Sequence, residues 1–220
     1  MKSSVLVAVL ALALLSGCAT APFADPEPYA DTGVDPARIP AAFAASVAPR
    51  FEQVNAVVFH FRRRAVTALG VAAVDRPARA FTVTCMTPLG VKLFDVVCRD
   101  GRDEGRFVHP ALKRFGGDLA QAAATDLARA YLDWQPPPGA VATAARDRLV
   151  FVAADAAGTT EYRYAGRDGR LAEKVRIEGG RRRWSVAYRD YAQVPGGLVP
   201  RGLVIENRQY GYRLVATARD

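Results

Sequence analysis

The pattern of apolar and polar positions divides the chain into two blocks of strands around one helix. Period-two alternation with Val, Phe and Thr enrichment predicts strands at 52–63, 65–75, 79–87 and 91–99, and a short one at 104–108. Arg76-Pro77, Pro88-Leu89-Gly90 and Asp100-Gly101 separate them. Ahead of this block, Asp35-Pro36 reads as a helix start, and Ile39, Phe43 and Val47 recur on one helical face. Pro40 weakens the first turn of that helix and Pro49 ends it. A longer helix is predicted from Asp118, a plausible N-cap, to about Asp133. Leu119, Ala123, Leu127, Ala130, Tyr131 and Trp134 form its apolar stripe, and Gln135-Pro136-Pro137-Pro138-Gly139 stops it. The second block reads as strands at 148–153, 159–165, 170–178, 181–191, 198–206 and 210–218.

The clearest stretch runs from Leu171 to Tyr188. Glu178-Gly179-Gly180-Arg181 is a two-residue hairpin turn, in which glycine supplies positive φ. A straight register from that turn sets Val175 opposite Trp184, Glu173 opposite Val186 and Leu171 opposite Tyr188. With Ile177, this face is mostly apolar. The other pairs Arg176 with Arg183, Lys174 with Ser185 and Arg170 with Arg189, so it reads as a solvated cationic face. Some ten antiparallel strands with one apolar face must curl around a common interior. Such a barrel either fills with side chains or keeps a ligand cavity. Candidates for a hydrophobic cavity are Phe81, Val83, Leu127, Tyr131, Leu171, Val175, Ile177, Trp184, Val186 and Tyr188.

The N-terminus changes the setting. One lysine, an apolar run from Val5 to Leu15 and then Leu15-Ser16-Gly17-Cys18 form a secretory signal ending in a lipobox. The run is too short to span a bilayer, which takes about 20 residues. The expectation is a signal peptide over 1–17, cleavage before Cys18, and acyl chains on its thiol as a membrane anchor. Residues 18–35 hold Pro22, Pro26, Pro28 and several acidic residues, and read as a flexible tether to a domain over 36–220. Ala19, rather than Asp, after the cysteine favours the outer membrane, on its periplasmic face.

The formal charge of +8 would suggest nucleic acid in a cytosolic protein, but export removes that partner. Anionic head groups, or plain solvation of an outer face, remain. Cys85 and Cys98 are expected to flank one hairpin, Cys85 opposite Leu93 and Cys98 near Ala80. That separates the thiols by roughly 16 Å at about 3.3 Å per residue. A disulfide needs Cα atoms within about 7 Å, so two buried thiols are favoured over a bridge.

The stretch Phe81-Thr-Val-Thr-Cys-Met-Thr-Pro-Leu-Gly-Val-Lys-Leu-Phe94 resembles the LolB family of outer-membrane lipoprotein receptors and its relatives. Arg183-Trp184-Ser185-Val186-Ala187-Tyr188-Arg189-Asp190-Tyr191, Leu198-Val199-Pro200, Leu203-Val204-Ile205-Glu206 and Tyr212-Arg213-Leu214 resemble the family's C-terminal strands. The resemblance implies a mainly β, α+β fold: an unclosed antiparallel barrel of about ten to eleven strands, with helices over its open mouth. It implies a cavity for lipoprotein acyl chains or membrane lipids, a periplasmic carrier as partner, and a monomer. Pro88, Leu89 and Gly90 match the family's membrane-insertion loop, whose leucine protrudes into water. Read without the resemblance, Leu89 would fold back on its own hairpin. Pro136–Pro138 and an Ala-rich stretch replace a second helical segment of the family.

No enzyme motif supports a competing reading. There is no Gly-x-Ser-x-Gly elbow, P-loop or dinucleotide fingerprint. His60 and His109 have no paired carboxylate or serine nearby in sequence, and no metal-ligand spacing occurs. The expectation is therefore no catalytic residue, no metal and no cofactor. An accessory lipoprotein of an envelope complex, linked to export of a lipid-like product, is the alternative, and a lipid hydrolase is the least favoured.

Overall fold

The structure is a computed structural model that describes residues 23–61, 64–113 and 119–219. Cys18 and the lipobox lie outside the described residues, as does the expected N-cap Asp118.

The strands are β1 (Arg50–Phe61), β2 (Arg64–Asp75), β3 (Ala80–Met86), β4 (Lys92–Arg99), β5 (Arg102–Val108), β6 (Val141–Ala145), β7 (Arg148–Asp155), β8 (Gly158–Ala165), β9 (Arg170–Glu178), β10 (Arg181–Val194), β11 (Gly197–Asn207) and β12 (Tyr212–Ala218). They form one 12-stranded antiparallel sheet in the order β5-β4-β3-β2-β1-β12-β11-β10-β9-β8-β7-β6. The sheet is two meanders joined by pairing of the first strand with the last, as in Val58 opposite Val215. Its free edges, β5 and β6, do not pair, so the barrel is unclosed. The sequence pattern missed β6, because Val-Ala-Thr-Ala-Ala carries almost no apolar contrast between its two faces.

The chain passes from edge β5 to edge β6 through α2 (Pro110–Lys113) and α3 (Leu119–Tyr131). Antiparallel order puts the turns β1–β2, β3–β4, β7–β8, β9–β10 and β11–β12 at one end of the sheet, here end A. The remaining turns lie at end B. Near end B a 3-10 turn (Pro36–Arg38), capped by Asp35, leads into α1 (Ile39–Ser46). Phe43 of α1 meets the rings of Trp134, Tyr164 and Tyr191.

Two bulges correct the expected registers. Slippage between Cys85 and Met86 sets Cys85 opposite Phe94, not Leu93, and Cys98 opposite Phe81, not Ala80. Both thiols are free and buried, and burial pushes Cys85 up to about 12. In the second hairpin Gly179 and Gly180 have φ of 55° and 71°, as a two-residue turn requires. A bulge between Arg182 and Trp184 then sets Trp184 opposite Arg176, Ser185 opposite Val175 and Val186 opposite Lys174. One extra residue inverts which side chains share a face. Lys174 and Arg176, not Val175 and Ile177, therefore share the inner face with Trp184, Val186 and Tyr188.

Part of the segment read as a flexible tether lies on the sheet. The Gly166 amide donates to the Glu27 carbonyl at 2.8 Å, and the Tyr29 amide to the Asp147 carbonyl at 2.9 Å. Phe23 packs on the outer face against Ala187, Val204 and Val215. Gly202 makes that seat, since a Cβ there would stand 2.6 Å from Phe23 Cε1. Gly202→Ala is expected to lift Phe23 off the sheet and cost on the order of 1 kcal/mol in denaturant unfolding. It should also speed chymotryptic cleavage after Phe23. A variant as stable and as protected as the parent would contradict this packing.

Candidate functional site

The candidate site is the inner face of the sheet, together with the β3–β4 hairpin at its rim. Phe81 and Val83 of β3, Leu171 of β9 and Val186 and Tyr188 of β10 belong to one buried core with Leu127 and Tyr131 of α3. Trp184 packs half-buried at its margin, with the Arg129 guanidinium 4.7 Å from the ring centroid. Val175 is buried on the opposite face beside Ser185, and Ile177 is half-buried there, so neither lines the interior.

The cavity expected at this place is filled. α3 is buried on almost every side, at Leu119, Ala120, Ala122, Ala123, Ala124, Asp126, Leu127, Ala130 and Tyr131. A helix that is apolar or small all round belongs inside a core. A solvent-open space of about 440 Å³ lies at end B among Phe51, Val74, Phe81 and Cys98, and two small, more enclosed apolar spaces lie beside α3. One, of about 20 Å³, lies among Phe59, Leu93, Phe94, Leu112 and Leu119 near end A. The other, also about 20 Å³, lies among Val83, Cys85, Leu127, Tyr131 and Leu203. A single water needs about 10–15 Å³ by the same measure, so neither holds an acyl chain.

Polar anchors hold α3 in place. At its first turns, Gln121 Nε2 donates to the Asp103 carbonyl at 3.0 Å, and Thr125 Oγ1 to the Asp103 carboxylate. In the middle, the buried Asp126 accepts from Asn207 Nδ2 at 2.7 Å, from the Tyr212 hydroxyl, and from Arg129. Burial, and then the Asp126 carboxylate beside it, hold the Tyr212 hydroxyl well above its usual range. At the far end the Tyr188 hydroxyl donates to the Ala130 carbonyl at 2.9 Å, and Lys174 Nζ donates to the carbonyls of Asp133, at 2.7 Å, and Arg129. The last carbonyls of a helix lack intrahelical partners and carry its negative dipole end, so a lysine there answers both needs. Burial nevertheless pushes Lys174 down to about 7, against the pull of Asp133.

These anchors were hard to read from sequence. Lys174 stands between Glu173 and Val175 like any outward lysine, and only the bulge turns it inward. Asp126 left a fainter signal, an acid among the alanines of the helix.

At the rim, Leu89 is 93 % exposed on a turn where Gly90 has φ of 81°. It does not fold back on its hairpin. Pro88 and Val91 are also exposed. Among the described residues no group of His, Cys, Asp and Glu could hold a metal ion.

No protein-family model and no curated protein sequence matches this chain. Solved structures do. A domain described as an outer membrane lipoprotein-sorting protein from Vibrio parahaemolyticus superposes with a TM-score of 0.55 at 13% identity, over 84% of this chain and 89% of its own. A LolA superfamily protein from Nitrosomonas europaea gives 0.52 at 10% identity, over 85% and 92%. The fold is LolA-like, shared with these two structures. Within this LolA-type fold, an unclosed sheet wraps a helix where its apolar inner face would otherwise meet water.

A buried lysine whose folded pKa lies below its ordinary 10.5 makes the unfolded chain bind more protons between pH 7 and 10. Stability from this site is complete above the ordinary value and is lost as pH falls through about 7. Equilibrium unfolding should therefore show the parent gaining stability from pH 7 to 9.5, relative to Lys174→Met, by up to about 1.4 kcal/mol per pH unit. Parallel pH profiles would rule out this burial.

Proposed function

We propose that this chain is an outer-membrane lipoprotein, anchored through Cys18, that binds acyl chains between its sheet and α3 and passes lipidated cargo to the membrane. The observation that carries the reading is the apolar inner face of an open sheet, covered by one helix held through a few polar contacts. A structural neighbour described as an outer membrane lipoprotein-sorting domain, and another described as a LolA superfamily protein, support it. The lipobox supplies the anchor, and Leu89 supplies an apolar tip for handing lipid across. The reading is non-catalytic: Asp126, Asn207, Tyr212, Tyr188 and Lys174 are engaged in holding α3. A periplasmic carrier of lipoproteins is the partner it implies.

Because the spaces beside α3 hold little more than a water each, an acyl chain enters there only where α3 yields. Protein from Ala19 onward should bind a fluorescent fatty acid, and Asn207→Ala, which removes a bond to Asp126, should bind it more tightly while costing about 1–3 kcal/mol of stability. No uptake by either protein would refute acyl binding. Leu89→Glu should leave uptake intact but slow delivery of a lipoprotein to vesicles at least tenfold. An unchanged delivery rate would remove Leu89 from the transfer step. A packed accessory subunit of an envelope complex is the reading left standing if uptake fails.

A further inference from the structure

The seat of Phe23 limits how far the domain can stand from Cys18. Phe23 rests on Gly202 of β11, against Ala187, Val204 and Val215 of the outer face. Cys18 lies five residues before it. At full extension, about 3.6 Å per residue, their Cα atoms stand at most about 18 Å apart. A chain free as far as Asp35 would reach about 60 Å. The outer surface that continues from this seat across β12, β1 and β2 is apolar or small. Val58 lies between Val215 and Thr67, Ala56 lies between Thr217 and Leu69, and Val54 faces Val71. Val54 and Val71 are 46 % and 42 % exposed. Glu52 and Arg219 border this surface on one side, His60 and Arg213 on the other. The outer face of β8–β10 is different, laced with ion pairs of Arg163 to Glu161 and Glu173 and of Arg182 to Glu173.

We propose that the outer face of β12, β1 and β2 lies against the bilayer that holds the acyl group of Cys18. The proposal rests on the anchor in the functional reading, and adds which side of the domain the membrane covers. Contiguous exposed apolar surface marks a contact with membrane or protein. The short tether selects the membrane, because it brings the bilayer to the side where that surface lies. The opening between edges β5 and β6 is on the far side, across the sheet and α3. At about 10 Å per packed layer it stands roughly 20 Å deeper, and so faces away from the bilayer. Incoming cargo then meets the open side of the sheet, while the β3–β4 hairpin, next to β2, holds Leu89 at the margin of the membrane contact.

The test uses the full chain, processed in a bacterial envelope and reconstituted into phosphatidylcholine vesicles. Cys85 and Cys98 are buried, so a cysteine introduced at an exposed site takes a fluorescent label selectively. Ala56 on the proposed face and Thr143 on edge β6 are both exposed. A label on the Ala56→Cys variant should be quenched by head-group spin-labelled lipid about threefold more strongly than one on Thr143→Cys, which the tether and the depth of the domain keep from the bilayer. Adding Val54→Gln with Val71→Gln should at least halve that difference. Adding Val54→Ile with Val71→Ile should keep it, which separates apolar contact from folding. Flotation with the vesicles reads the anchor alone. A chain that does not float loses Cys18 as its anchor, and the docking with it. A chain that floats with equal quenching at both sites, or with Ala56 covered by a second copy instead of lipid, loses the docking and keeps the anchor.

Discussion

The burial of α3 against the inner face of an open sheet is the constraint on which the rest depends. Twelve strands arranged as two meanders meet through β1 and β12, which leaves β5 and β6 as free edges. The chain between those edges has to cross the concave side. A peptide segment can do so without leaving amides unpaired only as a helix, or with partners from the sheet. The sequence meets this with alanines at the faces that come closest, and with polar partners for the buried Asp126 and for the last carbonyls of the helix. Lys174, Asp126, Asn207 and Tyr212 follow from that need.

The same contacts bear on how the proposed cargo is accommodated. Each polar anchor contributes about 1 kcal/mol net, and leaving its partner buried and unpaired costs about 1–3 kcal/mol. Each methylene taken out of water returns about 0.8 kcal/mol. A long acyl chain offsets the loss of several anchors, whereas a short one offsets hardly any. An interior closed in the free protein is thus compatible with binding long chains, and it shields the apolar face when no lipid is present. A helix sealed by apolar packing alone would lack discrete contacts to release.

Much of this was legible in the residues. Strand positions from β1 to β5 and from β7 to β12 followed from alternation and turn residues, and Gly179-Gly180 announced its own geometry. The stripe of α3 from Leu119 to Trp134 was read as apolar and is buried throughout. Leu89 was legible through resemblance alone, since nothing in a Pro-Leu-Gly turn says whether its leucine faces water. Three features stayed hidden. β6 lacks apolar contrast, the bulges at Leu93 and Arg183 leave alternation intact on either side, and the docking of Phe23 needs Gly202, distant in sequence.

Local patterning determined on its own the class of fold, the places where the chain turns, the helix that is apolar on its core side, and the Cys18 signature at the N-terminus. These depend on neighbours within a few residues, where side-chain period and turn chemistry are decisive. The tertiary structure alone decided which face of β9 looks inward, that a lysine rather than a valine meets the end of α3, and that the interior is filled rather than hollow. Those outcomes depend on a one-residue slip between strands and on volumes contributed from both meanders at once. A period-two pattern is blind to both.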